Sequence, residues 1–478
     1  MAPKKTIHIL RYGTVAEKVH LEKAVSAYDY LSINGNTAAY VSSAIAKFVL
    51  AKFFSRPEKG FFIDPITYAF QNEIKLLKTT SKATGEESIK KSVQKLIEIY
   101  GNPVDKVYSG KPIGLKDFSA KEVKEKFCKN VVSFQYNLVY EHISKNDLQK
   151  YLDYVSPEQS QNISQLRPKL LIAPYFYLDT EDVSWKEWLK LNIEFAEIAK
   201  QLSETFFDNT PVFAQIVISK STLRDDSAIS AITGLYQSLR CDGYTVWIDG
   251  LSEHEAENAD LYSFMKLLKG LHNKPVYNMY GGFFSVLLMH KSIGLLSGVS
   301  HGLEYGEFRS VYPVGGGLPV SKYYFFPLHQ RMDFTKAFYL LEYDGTIDTS
   351  QANWGASDKY FRDICKCSQC KSVIKSDMIN FMEFESKEFY EIRRKNQVLR
   401  RKKASSDTKV NCLYHYLLCK KVEFSLVEKK PLMTIIEELE SHYTRFCACD
   451  ALKHGELNYI RAWCDLLRLP EWSGSYGQ

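Results

Sequence analysis

Short apolar runs alternate with amphipathic segments of helical length along most of the chain. Eight runs have the length and residue types of buried strands: residues 61–63, 131–134, 169–173, 212–218, 244–248, 275–279, 295–299 and 323–326. Helical periodicity lies between most of them, most clearly in residues 185–204 and 261–271. Repeated strand–helix units predict a parallel sheet with right-handed crossovers. Eight such units favour an α/β fold of the (β/α)8, or TIM-barrel, type over an open sheet.

The remaining segments predict how the rest of the chain is organised around this barrel. Residues 1–60 are a lead-in with a short apolar run and a helical segment, and residues 61–345 hold the predicted barrel. Residues 346–425 carry closely spaced cysteines and a basic segment, which predicts a metal-binding subdomain. Residues 426–478 have a helical pattern rich in Trp and Leu, which predicts a helical extension packed on the body.

The composition is that of a folded globular protein. Of the 478 residues, 45% are hydrophobic and 25% are charged, and the net charge of +6 does not by itself indicate nucleic-acid binding. No apolar run is long enough for a signal peptide or for a membrane span. We therefore expect a cytoplasmic protein that does not act at a membrane.

Cysteines are concentrated in the last quarter of the chain. There are ten, and only two precede residue 365. Such clustering is typical of metal binding rather than of a secreted disulfide framework. Cys365, Cys367 and Cys370 form a C-x-C-x-x-C pattern, and a tetrahedral zinc ion needs a fourth ligand, for which His415 is the best candidate. A later C-x-C pair at residues 447–449 is either a second metal site or a pair of cysteines buried in a helix.

Polar residues and a pair of glycines lie within or just after the ends of several predicted strands. The C-terminal ends of the strands surround the active site of a (β/α)8 barrel, so these residues are the candidates for chemistry. They are Asp64, Asp179 or Asp182, Gln215, Asp249, Gly281, Gly282, His301, Glu304, Glu307 and Arg309. Any single aspartate has an ordinary alternative as the cap of the next helix. Several carboxylates at one barrel mouth nevertheless suit glycosidic-bond chemistry, in which one attacks or stabilises the anomeric carbon and another moves a proton.

Asp64 and Asp249 are the strongest candidates for catalytic acids. Asp64 follows an apolar run and precedes Pro65, which removes one donor that a helix cap would use. Asp249 follows a largely apolar strand and precedes Gly250.

The glycine pair and His301 have two interpretations each. Gly281 and Gly282 either bring the backbone close to a flat ring or form a tight turn. His301 is either a base, a phosphate contact or a packed polar residue.

A basic segment lies between the cysteine cluster and His415. Residues 387–403 contain eight Lys and Arg against two Glu, a charge of +6. Basic residues recur there at helical spacing, so a helical stripe that contacts phosphates is one interpretation. A solvated helix face or a flexible loop is the other. The predicted nucleic-acid contacts are Arg393, Arg394, Arg400, Arg401, Lys402 and Lys403.

A predicted barrel followed by Cys365, Cys367, Cys370 and a histidine in a later helix, His415, resembles the tRNA-guanine transglycosylases. In that family a zinc subdomain follows the barrel and helps to bind the nucleic acid. Members exchange a guanine base for a 7-deazaguanine through an aspartate that attacks the anomeric carbon of the sugar, and one branch acts on DNA. The resemblance therefore implies a zinc cofactor, a nucleic-acid substrate and a 7-deazaguanine base.

The chain departs from the family in two motifs and one spacing. The family's Asp-Ser-Gly-Gly-Phe-Gln corresponds to residues 64–71, which keep the aspartate and a later Phe-Gln without the glycines and are more similar to the DNA-acting branch. The family's nucleophilic aspartate stands at a late strand end, where this chain has Ser300-His301-Gly302. The gap from Cys370 to His415 also exceeds the family's usual spacing.

The resulting hypothesis is an enzyme that exchanges guanine in DNA for a 7-deazaguanine, with tRNA as the other polymer it could use. Asp249 is the expected nucleophile, and Asp64 recognises the base or moves a proton. The pocket is expected to contain Asp179, Gln215, Gly281, Gly282, His301 and Glu304. A catalytically silent nucleic-acid-binding subunit of a larger assembly is the alternative, and a hydrolytic glycosylase is a third hypothesis. A protein partner or a homodimer is compatible with each.

Overall fold

A sheet of eight parallel strands forms the centre of the protein. The computed structural model describes residues 6–13, 17–71, 73–81, 85–154, 166–304, 306–312, 321–394 and 397–472. We number the strands β1 to β8 in chain order: Ile7–Tyr12, Tyr30–Asn34, Gly60–Asp64, Leu171–Ile172, Val212–Ile218, Gly243–Ile248, Val276–Asn278 and Gly298–Gly302. They are hydrogen-bonded in the order β3-β2-β1-β8-β7-β6-β5-β4, so β3 and β4 are the two edge strands. Between these edges, just before β4, Lys169 N donates to Phe61 O of β3 at 2.8 Å. The predicted (β/α)8 architecture is confirmed as a nearly closed barrel.

Helices cover the outside of this barrel because each presents an apolar face to it. Trp185–Phe206, for example, buries Trp188, Phe195 and Ala199. The helices up to β8 are Lys18–Lys23, Gly35–Tyr40, Ser42–Phe53, Lys91–Tyr100, Lys121–His142, Lys145–Tyr154, Trp185–Phe206, Lys220–Arg224, Asp226–Ser238, Asn258–Leu271 and Phe283–Leu287. A short hairpin, Lys78–Thr80 with Glu87–Ile89, lies at the surface.

Two barrel strands lie in the segment predicted as a lead-in, so the barrel begins at Ile7 and not at residue 61. The strand β2 gives a weak sequence signal because its aliphatic residues, Leu31 and Ile33, are not consecutive. Both face outward from the barrel. Its inward-facing positions include Ser32 and Asn34, whose polarity interrupts the apolar run.

Two predicted strands are not part of the barrel: the first is helical, and the second is a strand that belongs to another sheet. Residues 131–134 lie inside the helix Lys121–His142, where Val131, Val132 and Leu138 share its buried side. A short apolar run fits a buried helix as well as a strand. Tyr323–Phe325 pairs antiparallel with Gln330–Met332 in a separate two-stranded sheet.

The region after the barrel is mostly helical, as predicted, and its helices lie around one long helix that was not predicted. Its helices are Phe334–Tyr343, Asp358–Asp363, Ser368–Ile374, Ser406–Lys429, Leu432–Phe446 and Asn458–Leu467. We call Ser406–Lys429 the long helix. It packs against β8 of the barrel through Tyr416, whose hydroxyl lies 3.0 Å from His301 Nδ1, and against β1 through Phe424, whose ring stacks on His8. Its buried residues include His415 and Lys420. Throughout the described part of the chain, helices lack the combination of length and apolar character that a membrane crossing requires.

The barrel interior has a core of its own. The side chains of alternate strand residues point inward, and Ile9, Phe62, Phe213 and Trp247 belong to a cluster separate from the main hydrophobic core. The same alternation places Arg11, Ser32, Asp64, Gln215 and Ser300 on the inner side. Near the ends of β1, β2 and β3 the interior is therefore polar, which is where a site can form.

Candidate functional site

Cys365, Cys367, Cys370 and His415 lie together, as the sequence predicts. Their donor atoms are all within 4.8 Å of one another. The three Sγ atoms lie 3.8, 3.4 and 3.2 Å, respectively, from Nδ1 of His415. Three thiols and one imidazole at this spacing match the donor set of a tetrahedral site closed by protein ligands. This cluster can therefore hold a metal ion.

The imidazole of His415 is oriented by a contact on its other side. Its Nε2 lies 2.6 Å from the carbonyl oxygen of Tyr324. Because a carbonyl oxygen only accepts, Nε2 donates, and Nδ1 keeps its lone pair for the sulfur side of the ring. The Tyr323 ring stacks on the imidazole with centroids 4.6 Å apart.

The later cysteine pair has ordinary backbone contacts. Cys447 is exposed and its Sγ lies 3.7 Å from Thr444 O, whereas the Sγ of the buried Cys449 lies 4.0 Å from Tyr339 O. Within the described ranges, metal-ligand spacing is found at the Cys365–His415 cluster and not at this pair.

Asp64 ends strand β3 and points into the barrel. Its carboxylate is buried, and Oδ1 accepts hydrogen bonds from Tyr175 OH at 2.6 Å and from Ile66 N at 3.1 Å. Its Oδ2 lies 3.8 Å from Nη1 of Arg11, whose Nη2 donates to Asn34 Oδ1 at 2.5 Å. A carboxylate held between a guanidinium and a phenol is fixed in direction and has proton donors at hand.

Asp249 directly follows strand β6. Its Oδ2 accepts from Tyr177 OH at 3.1 Å, and its Oδ1 accepts from Ser310 Oγ at 3.1 Å and from Val311 N at 2.7 Å. Tyr175 and Tyr177 are alternate residues of the segment after β4, and their hydroxyls reach Asp64 and Asp249. The two predicted acids therefore border the same barrel mouth.

Aromatic rings lie between the two acids. The rings of Tyr68 and Tyr175 are stacked with centroids 5.7 Å apart, and Tyr68 meets Trp247 edge-on at 5.2 Å. Trp247 in turn lies 4.8 Å from Tyr280, whose hydroxyl accepts from Arg309 Nη1 at 3.0 Å. Aromatic faces are surfaces on which flat heterocycles stack.

Asp179 and Gln215, two predicted pocket residues, have partners within the protein. Gln215 lies inside the barrel on β5 and accepts from Thr245 Oγ1 at 2.5 Å. Asp179 accepts from Ser219 Oγ at 2.9 Å and from Ser221 Oγ at 3.0 Å, which ties the loop after β4 to the end of β5.

His301 and Glu304 lie outside the barrel mouth, which corrects their predicted place in the pocket. Side chains alternate along β8, so Ser300 points inward and His301 outward. The Nε2 atoms of His301 and His8 are 2.6 Å apart, and Tyr416 OH of the long helix lies 3.0 Å from His301 Nδ1. Glu304 pairs with Lys409 of the same helix. Burial lowers the pKa of His8 to about 3 and also holds the pKa of His301 well below its usual value, so both histidines are neutral.

Gly281 and Gly282 are explained by close packing rather than by a bound ring. A Cβ on Gly281 would lie 2.7 Å from Ser285 Cβ. A Cβ on Gly282 would lie 2.8 Å from Glu253 Oε2 and 3.0 Å from Glu307 Oε2. Either substitution would collide with buried protein atoms, so the turn interpretation applies.

A buried ionic cluster between the long helix and the barrel escaped the sequence analysis. Lys420 Nζ lies 2.5 Å from Glu307 Oε1 and 2.9 Å from Glu423 Oε2, and His329 Nδ1 lies 2.7 Å from Glu423 Oε1. Burial acts to lower the pKa of Lys420, but the two carboxylates outweigh it and the pKa is raised. In the sequence, Lys420 and Glu423 look like an ordinary exposed i,i+3 pair.

We predict that Glu253 makes the stability of the protein depend on pH. Burial raises its pKa from 4.5 to about 7, the nearby Glu307 adds to this, and the bond from Ser285 Oγ opposes it. A raised carboxyl pKa contributes stability below pH 4.5 that is lost as pH rises through 7, a total of about 3 kcal/mol. Urea unfolding across this range should show the loss in the wild type but not in Glu253→Gln.

The control for this prediction is Glu255→Gln, since Glu255 is an exposed neighbour. Its stability should follow the wild type at every pH. A constant stability difference between the wild type and Glu253→Gln over the whole range would contradict the raised pKa.

The basic segment is an antiparallel β-hairpin and not a helical stripe, which corrects the predicted geometry. Glu388–Arg394 pairs with Gln397–Lys403, so basic residues alternate between the two faces. Arg400 and Lys402 share one face, and Arg401 and Lys403 share the other. The side chains of Arg393 and Arg394 lie outside the described part of the chain.

Several hairpin residues have local contacts. The Arg400 guanidinium lies 4.4 Å from the Phe389 ring centroid, and Lys402 Nζ lies 2.9 Å from Glu385 Oε1. Phe389, Val398 and Leu399 are exposed although they are large and apolar. Aromatic and β-branched residues favour strands, which is the physical reason for the hairpin.

No protein-family model matches the chain, and a comparison with curated proteins finds no match.

Proposed function

We propose that the protein is a base-exchanging transglycosylase that replaces guanine in DNA with a 7-deazaguanine. The observation that carries the proposal is that Asp64 and Asp249 border one barrel mouth, bonded to Tyr175 and Tyr177 of a single segment. Exchange at an anomeric carbon needs one carboxylate that attacks and another that moves a proton. The aromatic rings between them suit a flat base.

In this mechanism Asp249 is the nucleophile. A carboxylate oxygen of Asp249 bonds to the anomeric carbon while the bond from that carbon to guanine breaks, and Asp64, which enters this step protonated, gives its proton to the departing base and becomes a carboxylate. The incoming 7-deazaguanine then attacks the same carbon, releases the carboxylate of Asp249 and passes its ring N–H proton to Asp64. The target nucleotide has to leave the base stack to reach the mouth.

Zinc is the metal that we propose for the cysteine cluster. Three thiolates and an imidazole form a donor set that suits zinc better than magnesium, calcium or manganese. Because Cys365, Cys367, Cys370 and His415 would fill all four positions, the ion would be structural and take no part in base exchange. It would fix the long helix to the segment that follows the barrel.

The shape of the basic hairpin supports DNA as the polymer. A two-stranded β-ribbon fits the major groove of B-form DNA, whereas the corresponding groove of A-form RNA is too deep and narrow for side chains to read. Residues 387–403 carry a charge of +6, which complements phosphates on both sides of such a groove.

Removing two hairpin charges is expected to weaken DNA binding. The double variant Arg400→Ala/Arg401→Ala loses one cation from each face of the ribbon, because consecutive strand residues point to opposite sides. Binding to duplex DNA should weaken by a factor of about ten or more, and the slope of log K against log salt should fall by about two. Fluorescence anisotropy titrations at several salt concentrations measure both.

The matched control is Lys121→Ala/Lys126→Ala, which removes the same charge from exposed positions of the helix Lys121–His142. This variant should bind DNA with the slope of the wild type. Equal losses in both double variants would mean that net charge alone, and not the hairpin, governs binding.

A catalytically silent nucleic-acid-binding subunit is the second candidate, and two observations favour it. Oδ1 of Asp249 already accepts two hydrogen bonds, from Ser310 and Val311. Strand β8 also ends without a carboxylate on its inner side, where Ser300 points into the barrel.

One experiment separates these functions. The purified protein is incubated with duplex DNA or tRNA and a labelled 7-deazaguanine, and the digested nucleosides are analysed by mass spectrometry. Label in DNA supports the proposal. Label in tRNA alone would show that tRNA, and not DNA, is the substrate. Binding without label supports the silent subunit, and abasic sites without label indicate hydrolysis.

A further inference from the structure

A fifth potential ligand lies at the metal cluster. The Sγ atom of Cys419 is 3.8 Å from Cys365 Sγ and 3.6 Å from Nδ1 of His415. Cys419 is buried, with 1% of its surface exposed. It lies one turn after His415 on the long helix, so both side chains leave the same face of that helix. A tetrahedral ion uses four ligands, and the chain therefore supplies one more than is needed.

The distances from Cys419 match those between ligands of a single zinc ion. Zinc–sulfur bonds of about 2.3 Å place two sulfurs about 3.8 Å apart in a tetrahedron, and a sulfur and a nitrogen about 3.5 Å apart. The Cys365–Cys419 and Cys419–His415 distances are 3.8 and 3.6 Å. These two distances place Cys419 within reach of an ion that Cys365 binds.

We propose that Cys419 is a reserve ligand, which replaces His415 and converts the centre from three sulfurs and one nitrogen to four sulfurs. In this exchange the metal–nitrogen bond breaks, a metal–sulfur bond forms, and the Cys419 proton passes to the released imidazole. The ion stays attached to the long helix, one turn further along. A cavity of about 380 Å³ lies beside the cluster and is lined by Cys365, Cys367 and Cys419. The proposal does not depend on the transglycosylase activity.

The first test removes the histidine. His415→Ala is expected to keep about one zinc per chain, because Cys419 takes the empty position. In the cobalt-substituted protein, the thiolate-to-cobalt charge-transfer absorption per metal should rise by about a third as a fourth sulfur binds. His415→Ala/Cys419→Ser should lose the metal. A folded His415→Ala variant without zinc, or one whose absorption per cobalt is unchanged, overturns the proposal.

The second test keeps the histidine and therefore does not depend on the folding of His415→Ala. Zinc release to an excess of chelator should be several times faster in Cys419→Ser than in the wild type, because a reserve ligand recaptures a partly released ion. Cys412→Ser is the matched control, since Cys412 is buried on the same helix and its Sγ contacts Phe384 O at 3.6 Å. Equal release rates in Cys419→Ser and the wild type overturn the proposal.

Discussion

An Asp249→Asn variant is expected to lose the proposed base exchange, with kcat/KM lowered by a factor of about 10,000 or more. The amide has the shape of the carboxylate, and its oxygen can still accept from Ser310 and Val311. It cannot form the ester bond to the sugar that the exchange requires. The measurement is the incorporation of labelled 7-deazaguanine into duplex DNA by the wild type and the variant.

Ser310→Ala is the matched control for this substitution. It removes the 3.1 Å bond to Asp249 Oδ1 but leaves the carboxylate and the 2.7 Å bond from Val311 N. One lost hydrogen bond should lower the rate by a factor of about ten or less. Exchange at the wild-type rate by Asp249→Asn would show that Asp249 only holds the loop that contains Ser310 and Val311.

The variant Asp64→Asn tests whether Asp64 moves a proton in the proposed exchange. If Asp64 moves the proton, this variant loses exchange but still binds DNA, because the hairpin is untouched. It also leaves Arg11 without its carboxylate partner at 3.8 Å, so a modest loss of stability is expected and is measured by thermal unfolding. Unchanged exchange by Asp64→Asn would leave Asp249 as the only acid that the reaction needs.

The sequence was most informative where neighbouring residues determine the structure. Runs such as residues 212–218 and 244–248 are buried on both sides in a parallel sheet, so their apolar character alone predicts strands. The rule that strand ends surround the site then selected Asp64 and Asp249. The spacing of Cys365, Cys367 and Cys370 predicted their convergence, because three thiols within six residues can face one ion.

The sequence was least informative where the partner is distant or the pattern is polar. Arg11 and Asn34 meet Asp64 only because β1, β2 and β3 are neighbours in the sheet, and the first two strands were not recognised. The sequence suggested a helix because basic residues recur there at spacings of seven, which is a helical spacing. In a segment with so many basic residues the same spacing also arises by chance. His301 was placed in the mouth because its orientation depends on which β8 residues point inward.

The long helix connects the two halves of the candidate site. His415 faces the metal cluster, while the next residue, Tyr416, donates to Glu307 at 3.2 Å and lies beside His301 on the barrel. One turn later Lys420 pairs with Glu307 at 2.5 Å. The long helix therefore joins the cysteine cluster to the barrel. Loss of a bound metal ion should weaken the packing of this helix on the barrel as well as the cluster itself.

Removing the metal is accordingly expected to be the most destabilising single change. The double variant Cys370→Ala/Cys419→Ser deletes the buried thiol closest to His415 Nδ1, at 3.2 Å, together with the proposed reserve ligand, and should reduce bound zinc from about one per chain to none. Structural zinc contributes about 10 kcal/mol or more of binding free energy in small domains, part of which is folding free energy here. We expect the free energy of unfolding to fall by about 5 kcal/mol or more, with metal content and urea unfolding measured on the same samples.

Cys464→Ala is the control, because Cys464 is a buried thiol in the helix Asn458–Leu467 with a weak contact to Ile436 O at 3.9 Å. It should keep its zinc and lose about 1 kcal/mol, the ordinary cost of a small cavity. A chelator should reduce the stability of the wild type and of Cys464→Ala to about that of Cys370→Ala/Cys419→Ser, and added zinc should restore both but not this double variant. Stability that is unchanged by chelation in all three proteins would mean that the four residues pack together without a metal ion.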